Sequence, residues 1–304
     1  MRVSLNKTQK ELFGFIKGKV LVSESLSKYT TFKIGGPADF LVIPKDVEDL
    51  RNLIIYVKKN SLPRFILGGG SNLLVKDRGF QGIVIKLDSD YFKFIKFEDG
   101  YIRAGSGVLV FQLLSYCLDL GIGGLEFLTG IPGTVGGIIS MNAGIKGKNI
   151  SDVVEEVGIM DEEGNLRSFK EKELDFGYRS FKPSNVIIVE VLFRVFKRSS
   201  IDILKDMKKN ISHKNKTQDL KFPSAGCIFK NPKDSSLTAA QLIEEIGFKG
   251  KRVGDAKISE NHANFIINTG NAKAREVISL MNLIIERVRR AYKIKLKQEI
   301  VILG

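Results

Sequence analysis

The sequence predicts an α+β fold made of two unlike halves. From Arg64 to Phe196, short apolar runs separated by turn residues read as strands. From Ile201 onward, apolar residues recur at helical spacing. Glycine concentrates in three loops, all within the first half. The change of character falls at Arg198–Ser200, a charged junction suited to a domain boundary.

Taken in order, Asp46–Asn60 predicts a helix, with Val47, Leu50, Ile54 and Val57 on one face and Asp46 as N-cap. Arg64–Leu67, Ile83–Leu87, Tyr91–Phe97 and Tyr101–Ala104 follow as short strands, though the aromatics of Tyr91–Phe97 do not alternate. Val108–Leu120 predicts a helix closed by Gly121. Val153–Met160 and Leu166–Phe169 flank a turn at Asp161–Gly164, and Val186–Phe196 is the strongest strand. The second half gives helices at Ile201–Lys214, Leu237–Ile246 and Lys273–Tyr292, and strands at Asn264–Asn268 and Glu299–Leu303.

With 304 residues the chain is long enough for two or three cores. Hydrophobic residues make up 43% and charged residues 27%, the balance of a soluble globular protein. The polar opening Met1–Lys7 contains no signal-peptide core, and no apolar run reads as a spanning helix. Two cysteines are too few for a disulfide framework, so the cytoplasm is expected, with Cys117 a core residue. His213 and His262 are the only imidazoles, and there is no Cys-x-x-Cys, so no metal site is expected. The net charge of +14 admits nucleic-acid binding, solvated helix faces, or a site for small polyanions.

The glycine loops favour the last of these. They are Gly68-Gly69-Gly70-Ser71-Asn72, Ala104-Gly105-Ser106-Gly107 and Ile131-Pro132-Gly133-Thr134-Val135-Gly136-Gly137. Glycine lets backbone N–H groups approach an anion closely, and successive N–H groups form anion-binding nests. One such loop alone would be a tight turn; three with hydroxyl residues point to a diphosphate cofactor. The G-x-G-x-x-G fingerprint and the Walker A pattern are absent, so a Rossmann fold is not expected.

Six segments, in order, resemble the UDP-N-acetylenolpyruvoylglucosamine reductase family. They are Thr30–Ala38, Leu67–Leu74, Gly130–Gly137 with Asn142-Ala143-Gly144, Tyr178-Arg179-Ser180, Pro223–Pro232 and Gln298–Gly304. The resemblance implies a p-cresol methylhydroxylase-type FAD-binding fold in two subdomains (1–88 and 89–198), with a smaller α/β substrate-binding domain (199–297). A final strand (298–304) then returns Glu299 to the active site. It implies non-covalent FAD, NADPH as co-substrate, a UDP-sugar substrate and a role in peptidoglycan precursor synthesis. The short link from Tyr178 to Val186 is similar to the subtype lacking an extra substrate-covering loop. Neither nucleic acid nor membrane insertion is implied, and the oligomeric state is left open.

Residue by residue, the resemblance assigns FAD contacts to Gly68, Gly69, Gly70, Ser71, Asn72, Leu73, Gly105, Gly107, Ile131, Pro132, Gly133, Thr134, Gly136, Gly137 and Asn142. It assigns substrate contacts to Tyr178, Lys230, Asn231, Lys249 and His262, and catalysis to Arg179, Cys227 and Glu299. Arginine can grip a carboxylate with two parallel bonds. A glutamic acid kept protonated in a closed site can donate to the same group. The family has a serine as proton donor where this chain has Cys227, and a thiol is the stronger acid. Taken alone, each of these would be an ordinary surface or packing residue. Asp219 and Gln298 both stand where the family has proline. A sugar or alcohol oxidase of the same fold is the competing enzyme reading; the first half has no histidine for a covalent flavin. A basic nucleic-acid-binding protein is the other alternative.

Overall fold

The helix Val47–Lys59 shows how local chemistry sets the fold. Asp46 is extended at φ −150°, and its carboxylate accepts from the N–H of Asp49, the N-cap geometry expected from sequence. Leu50, Leu53, Ile54 and Val57 are buried along one face. Asp49, 1% exposed, accepts from the N–H groups of Lys17 (3.0 Å), Gly18 (2.9 Å) and Lys45 (2.8 Å). One carboxylate thus satisfies three backbone donors and pins the N-terminal segment to the helix.

The computed structural model describes residues 5–145, 147–183, 185–219 and 221–304; the side chains of Leu5, Asn6, His213 and Thr217 also lie outside the description. The expectation of a polar, leaderless N-terminus therefore falls on residues largely outside it, as does the His213 imidazole. A helix absent from the sequence reading, Leu5–Phe15, begins the described chain.

The chain divides into two compact units, the first comprising 1–23, 39–69 and 82–212, the second 24–38, 70–81 and 213–304. The sequence placed its junction at Arg198–Ser200. In the structure a continuous helix, Ser200–Thr217, begins at that junction, the two units divide within it after Ser212, and two short N-terminal excursions join the second unit.

In the first unit, a five-stranded antiparallel sheet runs Leu166–Lys170, Val154–Met160, Ile187–Arg194, Tyr101–Gly105, Ile95–Glu98. A second sheet runs Lys19–Ser25, Pro37–Ile43, Phe80–Ile85, Arg64–Ile66. The helix Val110–Asp119 buries Leu113, Leu114 and Cys117, and burial pushes the Cys117 thiol up to about 12. Tyr91–Phe97 is not one strand. Asp90–Phe92 forms a 3₁₀ turn that buries Phe92, and pairing starts at Ile95. The non-alternating aromatics reflect this switch from turn to strand.

The second unit has an antiparallel sheet in the order Ser224–Cys227, Phe265–Asn268, Ala256–Ile258, Arg252–Val253. The helices Ala239–Glu245 and Ala274–Tyr292 share its core with Phe32, Ile34, Leu74 and Ile300. Val301–Leu303 pairs in parallel with Leu73–Val75. Among the described residues no helix is long and apolar enough to cross a membrane.

Removing the Asp49 carboxylate would strand three backbone donors. Asp49→Ala is expected to lower stability by roughly 3 kcal/mol or more, read as a reduced denaturant midpoint with an unchanged slope. A change of only a few tenths would show that water replaces the carboxylate.

Candidate active site

The Gly68-Gly69 start of the first glycine loop and the other two loops pack together within the first unit. A Cβ on Gly69 would lie 2.6 Å from Gly133 Cα, and one on Gly68 would lie 2.9 Å from Thr134 Oγ1. The second and third loops are tied by Gly136 N–H to Ser106 C=O (2.9 Å), Val135 N–H to Val108 C=O (2.8 Å) and Val110 N–H to Gly133 C=O (3.0 Å). Thr134 Oγ1 accepts from Gly137 N–H and starts the short helix Val135–Ser140. Gly105 and Gly107 are explained by the protein itself: a Cβ on either would run into Phe92 or Leu87 carbonyl oxygens at 2.3 and 2.0 Å.

Arg179 sits at the tip of a two-residue hairpin. Gly177 pairs with Ser180, leaving Tyr178 and Arg179 as the turn. Arg179 has φ +55°, a left-handed conformation that a non-glycine residue adopts at some cost. Its guanidinium lies 5.5 Å from the centre of the half-exposed Tyr178 ring. Asn142, also left-handed at φ +38°, donates to Gly177 C=O at 3.1 Å and accepts from Ser151 N–H at 3.3 Å. Its side chain thus braces the base of the Arg179 hairpin.

In the second unit, Cys227 and Glu299 stand on neighbouring segments. The strand Ser224–Cys227 carries a register shift, with Gly226 at φ +74° just before Cys227. Such a bulge turns a side chain out of the regular pleat. Glu299 N–H donates to Ile228 C=O at 2.8 Å, and Phe229 bridges Gln298. Asn72 donates to Glu299 C=O at 3.2 Å and accepts from Val301 N–H at 2.9 Å. Thr31 donates its hydroxyl to Ser224 C=O at 2.7 Å and its N–H to Gly70 C=O at 3.1 Å. The second half of the first glycine loop therefore supports both segments.

The other expected site residues of this unit have defined partners. Leu73 is buried and pairs with Val301. Asn231 Oδ1 accepts from Ala239 N–H at 3.0 Å, at the start of a helix. Lys249 pairs with Glu244 at 2.6 Å. The His262 ring lies 4.7 Å from that of Phe265, tilted by 59°, and its Nδ1 accepts from Asn264 N–H. Burial, with a smaller push from Lys249, lowers the His262 pKa. A cleft of about 390 Å³ lies in this unit, lined by Lys33, Asp77, Lys273 and Arg275 among others, and contains none of the expected site residues.

Comparison with known proteins decides the family. Residues 218–303 match the model described as the UDP-N-acetylenolpyruvoylglucosamine reductase C-terminal domain, and residues 38–170 match an FAD binding domain. A UDP-N-acetylenolpyruvoylglucosamine reductase of Carboxydothermus hydrogenoformans is 42% identical over 98% of both chains. One from Syntrophomonas wolfei is 37% identical over 97% of this chain and 98% of its own.

The chain belongs to the UDP-N-acetylenolpyruvoylglucosamine reductase family.

A crystal structure of the reductase from Thermus caldophilus superimposes with a TM-score of 0.80 at 34% identity, covering 95% of this chain and all of that one. A glucose dehydrogenase, Phl p 4.0202, shares fold alone: TM-score 0.50, 13% identity, 62% of this chain and 44% of that one. The fold is the p-cresol methylhydroxylase type, as the resemblance implied.

The loops of the first unit fit FAD. Ser106 is 4% exposed, and its Oγ is buried without a hydrogen-bond partner among the described residues. A buried hydroxyl left unpaired costs about 1–3 kcal/mol, so a ligand acceptor or donor at this loop would relieve it. Ile131, Pro132, Gly133 and Thr134 lie in the loop packed beside it. Among the described residues no group of His, Cys, Asp and Glu is arranged to hold a metal.

Lys214 lies near the end of the helix Ser200–Thr217. It follows the buried Ile203 and the half-buried Met207 and Asn210 on one face of its helix, at positions i, i+4, i+7 and i+11. Burial alone pushes its ammonium down to about 8.

Two outcomes are expected here. Gly69→Val would wedge the first and third loops apart, and the protein should purify with much less FAD while retaining its helical circular dichroism; full flavin content in that variant would remove these loops from the cofactor site. Lys214 has a folded pKa below its unfolded value of 10.5. Its burial penalty is therefore full below pH about 8 and fades as pH rises from about 8 toward 10.5. Lys214→Met should raise the melting temperature at neutral pH, with the gain shrinking in alkaline buffer. A gain independent of pH would mean that packing, not charge, is responsible.

Proposed function

We propose that this chain reduces the enolpyruvyl double bond of UDP-N-acetylglucosamine enolpyruvate, giving UDP-N-acetylmuramate for peptidoglycan precursor synthesis, with FAD bound and NADPH as hydride donor. The observation that carries this reading is the match to the Carboxydothermus reductase over 98% of both chains. We place the reaction in the cytoplasm. The expected division of labour is retained as part of the proposal: cofactor on 1–198, substrate on 199–297, and Glu299 supplied by the last strand.

The chemistry that bound FAD supplies is hydride transfer, from NADPH and then to the terminal vinyl carbon. The residues of this chain handle the charge and the proton. As the carbon–carbon bond takes hydride, negative charge spreads over the adjacent carbon and its carboxylate. Arg179, presented at a hairpin tip whose base Asn142 braces, grips that carboxylate through two N–H donors. Glu299 in its protonated form donates a further hydrogen bond to it. Cys227 gives up its S–H proton: the S–H bond breaks, a C–H bond forms at the carbon next to the carboxylate, and solvent reprotonates the thiolate. A thiol is acidic enough to donate readily and remains mostly protonated near neutrality.

Lys230, Lys249 and Lys214 are assigned to the substrate's diphosphate. Lys249 reaches it by exchanging Glu244, its present partner, for phosphate oxygens. For Lys214 the incoming anion offsets the penalty that burial places on its charged form.

NADPH oxidation that depends on UDP-N-acetylglucosamine enolpyruvate tests the activity; a flavin that NADPH bleaches but this substrate never reoxidises would overturn it. Within the reaction, Arg179→Ala and Glu299→Gln should leave bleaching by NADPH intact. Reoxidation by substrate should slow on the order of a hundredfold or more. Cys227→Ser should remain active. Cys227→Ala should turn over slowly and lose stereochemical control of deuterium uptake from heavy water; unchanged turnover and stereochemistry would return Cys227 to a packing role.

A further inference from the structure

One buried amide holds the backbone between the residues assigned to protonation and to the carboxylate. Asn264 is 3% exposed. Its Oδ1 accepts from Phe229 N–H at 2.9 Å, and its Nδ2 donates to Phe229 C=O at 2.8 Å. Its own main-chain carbonyl accepts from Ile228 N–H at 2.9 Å. Its N–H donates to His262 Nδ1 at 3.2 Å. Both functions of the side-chain amide are therefore spent on a single residue's backbone.

The location gives this clamp its meaning. The ladder between Ser224–Cys227 and Phe265–Asn268 ends where Cys227 pairs with Phe265. Beyond it the chain must turn its other edge to the C-terminal segment: Glu299 N–H donates to Ile228 C=O and Lys230 N–H to Lys297 C=O, both at 2.8 Å. Asn264 replaces the missing strand at that handover. Its amide offers one donor and one acceptor, as a peptide group does. Aspartate lacks the donor, leucine lacks both, and glutamine carries the amide one methylene too far. Cys227 lies one residue before the clamped pair Ile228–Phe229, and Glu299 is bonded to that pair from its opposite edge.

We propose that Asn264 is a positioning residue that sets the register of the Cys227 thiol against the Glu299 carboxyl. The proposal rests on the roles given above to those two residues. If Asn264 acts through Cys227, its loss should matter only while Cys227 is the proton donor.

A double-mutant cycle in the FAD-loaded enzyme tests this. Asn264→Gln should retain FAD and be bleached by NADPH at the wild-type rate. Its reoxidation by substrate should slow by roughly tenfold or more, because small misplacements of a reacting group are costly. The rate at which iodoacetamide alkylates Cys227 should change as well, a readout that a purely structural role at a distance would not move. In the Cys227→Ala background the same substitution should alter reoxidation by less than about twofold. Equal slowing in both backgrounds would overturn the proposal, as would wild-type reoxidation in Asn264→Gln. Should that variant fail to fold, Asn264→Asp, which keeps the volume and the acceptor, carries the same cycle. Failure of the proton-donor reading is separately visible, since it appears in Cys227→Ala alone with Asn264 intact.

Discussion

Backbone packed directly on backbone is the constraint from which the rest of this structure follows. A side chain on Gly69 would overlap Gly133, and one on Gly70 would overlap the Tyr29 carbonyl oxygen at 2.0 Å. Each loop can therefore present N–H groups and hydroxyls while lying flat against another loop. In the first unit this packing encloses Ser106, a buried hydroxyl with no partner among the described residues that a ligand could satisfy. In the second unit the same packing lets Thr31 reach both Gly70 and Ser224, so that the segment leading to Cys227 is tied to a loop far away in sequence.

Side chains that substitute for backbone are the second theme. Asp49 collects three N–H groups where no strand or helix supplies acceptors. The side chains of Asn142, Asn72 and Asn264 each bond main-chain groups of, or two residues from, a residue assigned to catalysis. Buried polar groups are stabilising only when every donor and acceptor is used. A network built this way resists small displacements, because moving one member strands several groups together.

What the sequence made legible was the periodic part. Asp46 announced its helix because a cap and an apolar stripe are local signals, and the structure places both as expected. The central strand Ile187–Arg194 was visible because six of its eight residues are apolar, five of them β-branched or leucine in two short runs around Glu190. The glycine loops declared themselves by composition, although only Gly68, Gly69, Gly133 and Gly136 among those discussed pack loop on loop within the first unit, while Gly105 and Gly107 face their own chain. Tyr91–Phe97 misled because aromatic content mimics a strand where a buried Phe92 requires a turn. The discontinuous units were illegible: which excursion joins which core depends on Phe32, Ile34 and Leu74 meeting residues two hundred positions away. Asn264 carried no signal either, since nothing local distinguishes a clamp from a surface amide.

The two departures from the family pattern become intelligible in these terms. At Gln298, where the family has proline, the pairing with Ile228–Lys230 uses the N–H of Glu299 and the C=O of Lys297. Neither of those bonds uses the N–H of residue 298, which is the group proline lacks, so either residue suits that ladder. At Asp219 the ring that would stiffen the loop is replaced by hydrogen bonds. Its carboxylate, 7% exposed, accepts from Ser259 Oγ at 3.0 Å and from Lys221 N–H at 3.4 Å. Ser259 Oγ in turn accepts from the N–H groups of Asn261 and His262. A covalent restraint on one loop has become a polar one spanning two, and it ends on the turn that carries His262 and leads into Asn264. The hydrogen bonds of Asp219 and Ser259 thus couple this loop to the segment that holds Phe229.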